Sequence, residues 1–321
     1  MKKQYIYAVA RLRAKEMRLF SESNMRALIS CKDVSDCFAY LRDHAWGDES
    51  CKSIDDFVNW QLEDLWNLIG ELVSDVDLFN IFKIPNDYTN LKTAIKSVAN
   101  DKDVKPLFFS FCTIDPKVMV QAIETKDFDQ LPEYMRETAA KARALLFEST
   151  DAQVCDSVID RDLLYAMEGF AKKSKNALCE EYVRLFVDVA NIKVAVRGCK
   201  MKRSLRFFNR ILAKCGTLDI DRLAKCAAKG LNEIYAYLEF TDYKDAVPEI
   251  CKSMARFEVW CENLVMGSMQ KEKSNQFTLS AIFAYVYARL SEIKNVRMII
   301  VSKEGKVADD VIEERLRAMY V

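Results

Sequence analysis

At 321 residues the chain exceeds what one compact core comfortably holds, so two or three units of about 100–150 residues are expected. Its 48 Lys and Arg balance 48 Asp and Glu, which removes any overall electrostatic drive toward nucleic acid or anionic lipid. Only 8 glycines and 5 prolines are present, far below ordinary usage of roughly 7% and 5%, so strand-rich folds with many turns are disfavoured and an all-α protein is expected.

The first segment, "MKKQYIYAVARLRAKEMRLF", carries two lysines like a signal peptide, but Arg11 and Arg13 break its apolar run after six residues. No secretion signal is expected there. From Ser21, "SESNMRALISCKDVSDCFAYL" sets its cysteines inside helical patterns. Eleven cysteines, an odd number without a C-x-x-C pair, read as reduced cytoplasmic thiols filling small core positions. His44, the only histidine, lies in the turn-like "LRDHAWGD", which excludes His-based metal triads and points to a structural or surface role. Ser53, with Asp56 three positions on, caps a helix whose apolar residues keep helical spacing from Ile54 to Val76. Pro85 ends that run, and "NDYTNLKTAIKS" opens the next helix.

The same arrangement returns as "SVIDRDLLYAMEGFAKKS" followed by "ALCEEYVRLFVDVANIKVAVRG". It returns again as "AVPEICKSMARFEVWCENLVMGSM" followed by "QFTLSAIFAYVYARLSEIKNVRMIIV". Lys92, Lys193 and Lys294 are spaced 101 positions apart. The helix pairs are followed by short elements that also resemble one another: Thr113 and Thr217 both open a Thr-apolar-Asp start, and the segment from Ser21 follows the first helix in the same way. Three helical units are therefore expected, over 1–105, 106–203 and 204–321, and they fit a pseudo-threefold body better than a spiral. The most apolar long window holds Arg289, Glu292, Lys294 and Arg297, too many charges for a bilayer core, so no membrane span is expected.

At 100° per residue, Asp87, Asn90 and Ala94 form one stripe of a helix while Lys92 and Lys96 form another on roughly the opposite side. Asp188, Asn191 and Ala195 repeat the first, and Lys193 with Arg197 repeat the second. The third copy reads as replacing the polar pair by Arg289 and Glu292, an i,i+3 ion pair. The polar stripe is expected to lock its helix against a facing helix; the basic stripe is either solvated or lines a surface that grips a partner. There is no G-x-x-x-x-G-K-[ST] and no G-x-G-x-x-G, so phosphate cradling by a glycine-rich loop is absent. The rival signal is acidic: Asp55 and Asp56 with Asn59, and Asp309 and Asp310 with Glu313. Carboxylates so spaced on facing helices hold Mg²⁺ against a diphosphate in all-α isoprenoid synthases, but both clusters fall in first helical turns, where the helix dipole favours acids anyway.

"YAVARLRAKEMRLF", "DLFNIFKIPNDYTNLKTAIKS", "IDRDLLYAM", "EEYVRLFVDVANIKVAVRG" and "FAYVYARLSEIKNVRMIIVSKEG" resemble the C subunit of bacterial and archaeal V-type (A/V-type) ATPases, related to the d subunit of the eukaryotic vacuolar enzyme. The resemblance runs nearly end to end in motif order and spacing. Arg11 and Arg13 fit the family's basic pattern, and Glu292, Lys294, Asn295 and Arg297 match the third motif, while Leu290 stands where the family usually carries a second acid. The resemblance implies an all-α funnel of three similar domains without catalytic activity or cofactor. It also implies a cavity that receives the rotor shaft built from the D and F subunits, an opposite face seated on the membrane proteolipid ring, and a peripheral place on the cytoplasmic side. The competing readings are the Mg²⁺-dependent enzyme of diphosphates and a helical scaffold outside ATPases.

Overall fold

A computed structural model describes residues 5–74, 76–100, 107–149, 152–275 and 278–321. Among these residues the secondary structure is helical throughout, with no strand. In chain order the α-helices are α1 (Ile6–Glu16), α2 (Glu22–Ile29), α3 (Val34–Asp43), α4 (Ile54–Leu72), α5 (Ile84–Asn100), α6 (Pro116–Thr125), α7 (Glu133–Ser149) and α8 (Ala152–Ser174). They continue as α9 (Ala177–Lys200), α10 (Leu205–Ile211), α11 (Ile220–Lys229), α12 (Leu231–Leu238), α13 (Val247–Lys252), α14 (Met254–Lys271), α15 (Leu279–Glu304) and α16 (Asp309–Glu313). The six longest expected helices are present as α4, α5, α8, α9, α14 and α15. No helix among the described residues is long and apolar enough to cross a membrane.

Local sequence explains the helix starts. Ser53 and Asp56 close a reciprocal box, with Ser53 N–H donating to Asp56 at 2.8 Å and Asp56 N–H to Ser53 Oγ at 3.2 Å. Asp115, Asn176 and Asp219 cap α6, α9 and α11 one way only, each side chain accepting from a backbone N–H of the first turn. Helix ends show the cost of scarce glycine: Lys126, Lys175, Lys202 and Lys306 take the left-handed backbone at positive φ after α6, α8, α9 and α15, where Gly usually serves.

Three boundaries differ from the spacing. The run from Ala246 is not one helix but two, α13 and α14, because Ser253 is extended and caps α14 by accepting from Arg256 N–H at 3.1 Å. The helix from Ile54 stops at Leu72, short of Val76: Val73 keeps its side chain buried but in an extended backbone, which apolar spacing alone does not distinguish. Pro85 lies in the first turn of α5 rather than closing the preceding run, because its missing N–H is not needed there.

The chain packs as two compact units, 1–76 with 245–321, and 77–244. The unit boundary expected near 105 lies outside the described residues, and that near 203 falls in the turn after α9. In the unit formed from the two chain ends, α15 is the central rod, packed by α1, α2, α3, α4 and α14. Residues 281–286 of α15 are buried consecutively, so this helix has no polar side there. Its Ile293, Val296, Ile299 and Ile300 join Phe20, Met25, Trp46 and Phe57 in one core. In the unit 77–244, α8 packs on α5, α7 and α9, and α9 on α11 and α12. Tyr88, Leu91, Ile159, Met167, Ile192 and Val196 are buried there.

Three of the eight glycines, Gly70, Gly169 and Gly267, lie inside α4, α8 and α14 at spacings of 99 and 98 residues, and a Cβ built on any of them meets nothing within 4 Å. Gly169→Ala therefore removes an entropic cost without a clash. The expected gain is about 0.5–1 kcal/mol, read as a higher urea midpoint; a lower midpoint refutes the account.

Candidate functional site

The repeated motif builds one corner three times. On α5, Asp87 and Asn90 are fully buried on the face they share with Ala94. The Asn90 side chain acts as a two-way clamp on one backbone residue: its Nδ2 donates to Phe109 O at 3.0 Å and its Oδ1 accepts from Phe109 N–H at 2.8 Å. Asp87 accepts from Thr113 N–H at 2.8 Å, Thr113 Oγ1 at 2.6 Å and the Tyr134 hydroxyl at 3.0 Å. Burial pushes the Asp87 carboxyl above its ordinary range while these donors pull it down. Burial and the neighbouring Asp87 charge push the Tyr134 hydroxyl up.

On α9 the corner is nearly superposable in chemistry. Asn191 clamps Ala213, with both bonds at 2.9 Å. Asp188 accepts from Thr217 N–H at 2.9 Å, Thr217 Oγ1 at 2.5 Å, Leu218 N–H at 3.4 Å and Tyr243 OH at 2.9 Å. Gly216 is required by this approach: a Cβ there would overlap the Asp188 carboxylate.

On α15, Asn295 clamps Arg317, donating to its carbonyl at 3.2 Å and accepting from its N–H at 3.3 Å. Glu292, wholly buried, accepts from Phe20 N–H at 3.0 Å and Trp46 Nε1 at 2.6 Å, and pairs with Arg289. Trp46 thus stands where Tyr134 and Tyr243 stand in the other corners. Two sequence readings change here. The third polar pair is Glu292 with Asn295, and Arg289 is an addition that also donates to Gln61 and lies 5.7 Å from the Trp46 ring. The polar stripe also satisfies chiefly backbone groups of non-helical segments further along the chain rather than only a facing helix, because those N–H and C=O groups have no ladder of their own; Asp87 in addition takes Tyr134 from α7, and Glu292 takes Phe20 and Trp46 from the N-terminal segment. Leu290 is only half-buried, and the corner closes without it.

Residues 8–315 match the family described as ATP synthase (C/AC39) subunit. The chain belongs to this family. Among curated relatives, the V-type sodium ATPase C subunit of Enterococcus hirae is 20% identical over 96% of this chain and 97% of its own length. The A-type ATP synthase C subunit of Methanocaldococcus jannaschii is 21% identical over 99% and 86%, and that of Desulfurococcus 22% over 97% and 90%. The matched stretch includes Asp87, Asn90, Asp188, Asn191, Glu292 and Asn295, and ends two residues before Arg317.

In this member of the family the basic stripe is largely engaged within the chain. From α5, Lys92 pairs with Asp160 and Lys96 with Asp156 at 2.6 Å, both on α8. From α15, Lys294 pairs with Glu262 of α14, which Arg317 shares, and Arg297 with Asp55 of α4 at 2.8 Å. On α9, Lys193 is half-buried and Arg197 exposed, and neither is without a partner. On α1, Arg11 pairs with Glu71 at 2.7 Å. Arg13 pairs with Glu16 at 2.7 Å and donates to the carbonyls of Glu272 and Asn275. Because the Lys92 pair is partly exposed, Lys92→Ala is expected to cost under about 1 kcal/mol in urea unfolding, and less at high salt.

The rival acids serve locally. Asp56 accepts from the N–H groups of Lys52 and Ser53 at 2.9 and 2.8 Å, Asp55 holds Arg297, and Asp309 holds Lys303 at 2.8 Å. Among the described residues no group of three or more His, Cys, Asp or Glu is placed to hold a metal ion. His44 follows α3 and stacks on Tyr40 at 4.1 Å between ring centres.

Proposed function

We propose that this chain is the non-catalytic central-stalk component of a V-type ATPase or ATP synthase, a socket that couples the rotor shaft, built from the D and F subunits, to the membrane proteolipid ring during H⁺ or Na⁺ transport. In this reading the three units over 1–105, 106–203 and 204–321 stand in pseudo-threefold order as a funnel, peripheral to the membrane on its cytoplasmic side.

The observation that carries the reading is the corner built three times, in a chain that belongs to the ATP synthase (C/AC39) subunit family. A body on a rotation axis has use for one corner repeated, whereas an active site is needed once. A coupler must also carry torque without bending. Buried carboxylate and amide clamps that fix downstream backbone segments make each corner stiff, since each clamping acid and amide has several partners to lose. The mixed salt-bridged surface of α5 and α8 suits an interface that assembles and releases.

The test is reconstitution. Purified chain mixed with the shaft proteins and detergent-solubilised ring at micromolar concentration and low salt is expected to form a ternary complex that neither pair forms without it. Absence of binding to both partners, with the chain folded, removes the proposal.

A further inference from the structure

The balance of charge over the whole chain hides a local excess. Between Asp188 and Asp219 the sequence carries eight Lys and Arg and no Asp or Glu. The middle of that stretch is the turn joining α9 to α10. Lys200, Lys202, Arg206 and Arg210 are exposed there, and among the described residues none of the four side chains has a carboxylate partner. Met201 and Leu205 stand between these cations with 54% and 39% of their surface open.

The turn is built to hold this arrangement still. Lys202 takes the left-handed backbone, and the N–H groups of Met201, Lys202 and Arg203 close back on the carbonyls of Arg197, Cys199 and Gly198 at 3.1, 2.9 and 3.0 Å. Phe208 of α10 packs on α9 at Gly198, where an added Cβ would lie 2.5 Å from a ring carbon. From α8, Arg161 donates to Arg210 O at 2.8 Å, and Gln153 accepts from Arg203, whose guanidinium lies 5.2 Å from the Phe207 ring centre. Arg203 and both phenylalanines are thus engaged within the chain, and the other cations are left outside.

We infer that the α9–α10 turn is an adsorption site for anionic phospholipid headgroups. Lys200, Lys202, Arg206 and Arg210 meet the phosphate and carboxylate groups, while Met201 and Leu205 enter the boundary between headgroups and acyl chains. Each Lys or Arg brought near an anionic leaflet strengthens adsorption about fivefold, and apolar side chains add to it where they reach that boundary. Because the turn is already fixed, little conformational freedom is lost on contact. A single-stranded nucleic acid offers the same phosphates but gains most from free aromatic faces; here the Phe208 ring is buried and the Phe207 ring is covered by Arg203. Lipid adsorption goes beyond the coupling role and does not depend on it.

The chain is mixed at low salt with vesicles of phosphatidylcholine alone, or of phosphatidylserine and phosphatidylcholine in equal parts, and the bound fraction is read by co-flotation. Binding is expected to the phosphatidylserine vesicles only, and to fall steeply as salt rises. Arg206→Gln with Arg210→Gln should weaken it by about tenfold or more, whereas Lys32→Gln with Lys52→Gln, two exposed lysines of the other unit, should leave it unchanged. Met201→Ser with Leu205→Ser is expected to weaken it several-fold at unchanged charge. All six positions are exposed, so these variants should keep the fold, which circular dichroism checks. No binding to either vesicle, equal binding to both, or equal loss in the Lys32 and Lys52 control overturns the inference. So does full displacement by inorganic phosphate at matched ionic strength, which would mark a free-phosphate site. Undiminished vesicle binding in Met201→Ser with Leu205→Ser, together with tight capture of polyglutamate, would assign the turn to an acidic polypeptide instead.

Discussion

Asp188→Ala is expected to lower the stability of the unit 77–244 by about 3–5 kcal/mol, among the largest effects of any single substitution in the chain. The carboxylate is wholly buried and accepts from two backbone N–H groups, the Thr217 hydroxyl and the Tyr243 hydroxyl. Truncation leaves these donors inside without an acceptor, and each unsatisfied group costs about 1–3 kcal/mol. Partial relaxation and water entry keep the total below the simple sum. Gly216→Ala reaches the same corner from the other side, since its methyl would occupy the carboxylate's place. The measurement is the urea midpoint of both variants beside Lys92→Ala. Equal, small shifts in all three would mean that the clamp does not hold the corner.

Glu292→Ala is expected to cost a similar 3–5 kcal/mol, but in the other unit and for a further reason. Glu292 neutralises Arg289, whose side chain is only 11% exposed, so its loss leaves a cation nearly out of water without its counter-charge. It also releases Phe20 N–H and Trp46 Nε1. Glu292 is the only corner acid whose donors come from the opposite end of the chain, so the N-terminal segment carrying α2 and α3 should loosen from α15. Limited proteolysis is expected to cut that segment in the variant while fragments of 77–244 persist. The double variant Glu292→Ala with Arg289→Met should recover part of the loss, because removing both charges leaves no unpaired ion. Full additivity of the two changes would exclude the buried pair as the cause.

Much of the architecture was legible from residues alone. Scarcity of Gly and Pro, and apolar residues at helical spacing, determined an all-α chain, because backbone hydrogen bonds inside a helix need no distant partner. Capping pairs such as Ser53 with Asp56 marked helix starts for the same local reason. The three motif copies were readable too, since Asp87 with Asn90 and Asp188 with Asn191 repeat at identical spacing. What periodicity could not supply was direction. It placed Asp87 and Lys92 on opposite stripes without saying that the first turns to its own following loop and the second to acids of α8. Those partners lie 26 to 68 residues away in sequence, and such meetings are set by packing rather than by propensity.

The third corner shows the limit most clearly. Read locally, Arg289 and Glu292 are an i,i+3 pair on one helix, complete in themselves. Only tertiary structure decided that Glu292 reaches 272 residues back to Phe20 and that Trp46 takes the place held elsewhere by Tyr134 and Tyr243. An indole N–H and a phenol O–H are equivalent donors to a buried carboxylate, so the sequence was free to change the residue and keep the bond. The sequence by itself determined the helices and the threefold motif, because both depend on neighbours along the chain. Which loop each clamp holds, and that the two ends of the chain close one corner together, were decided by burial, which forces every enclosed polar group to find its partner wherever the packed chain brings one.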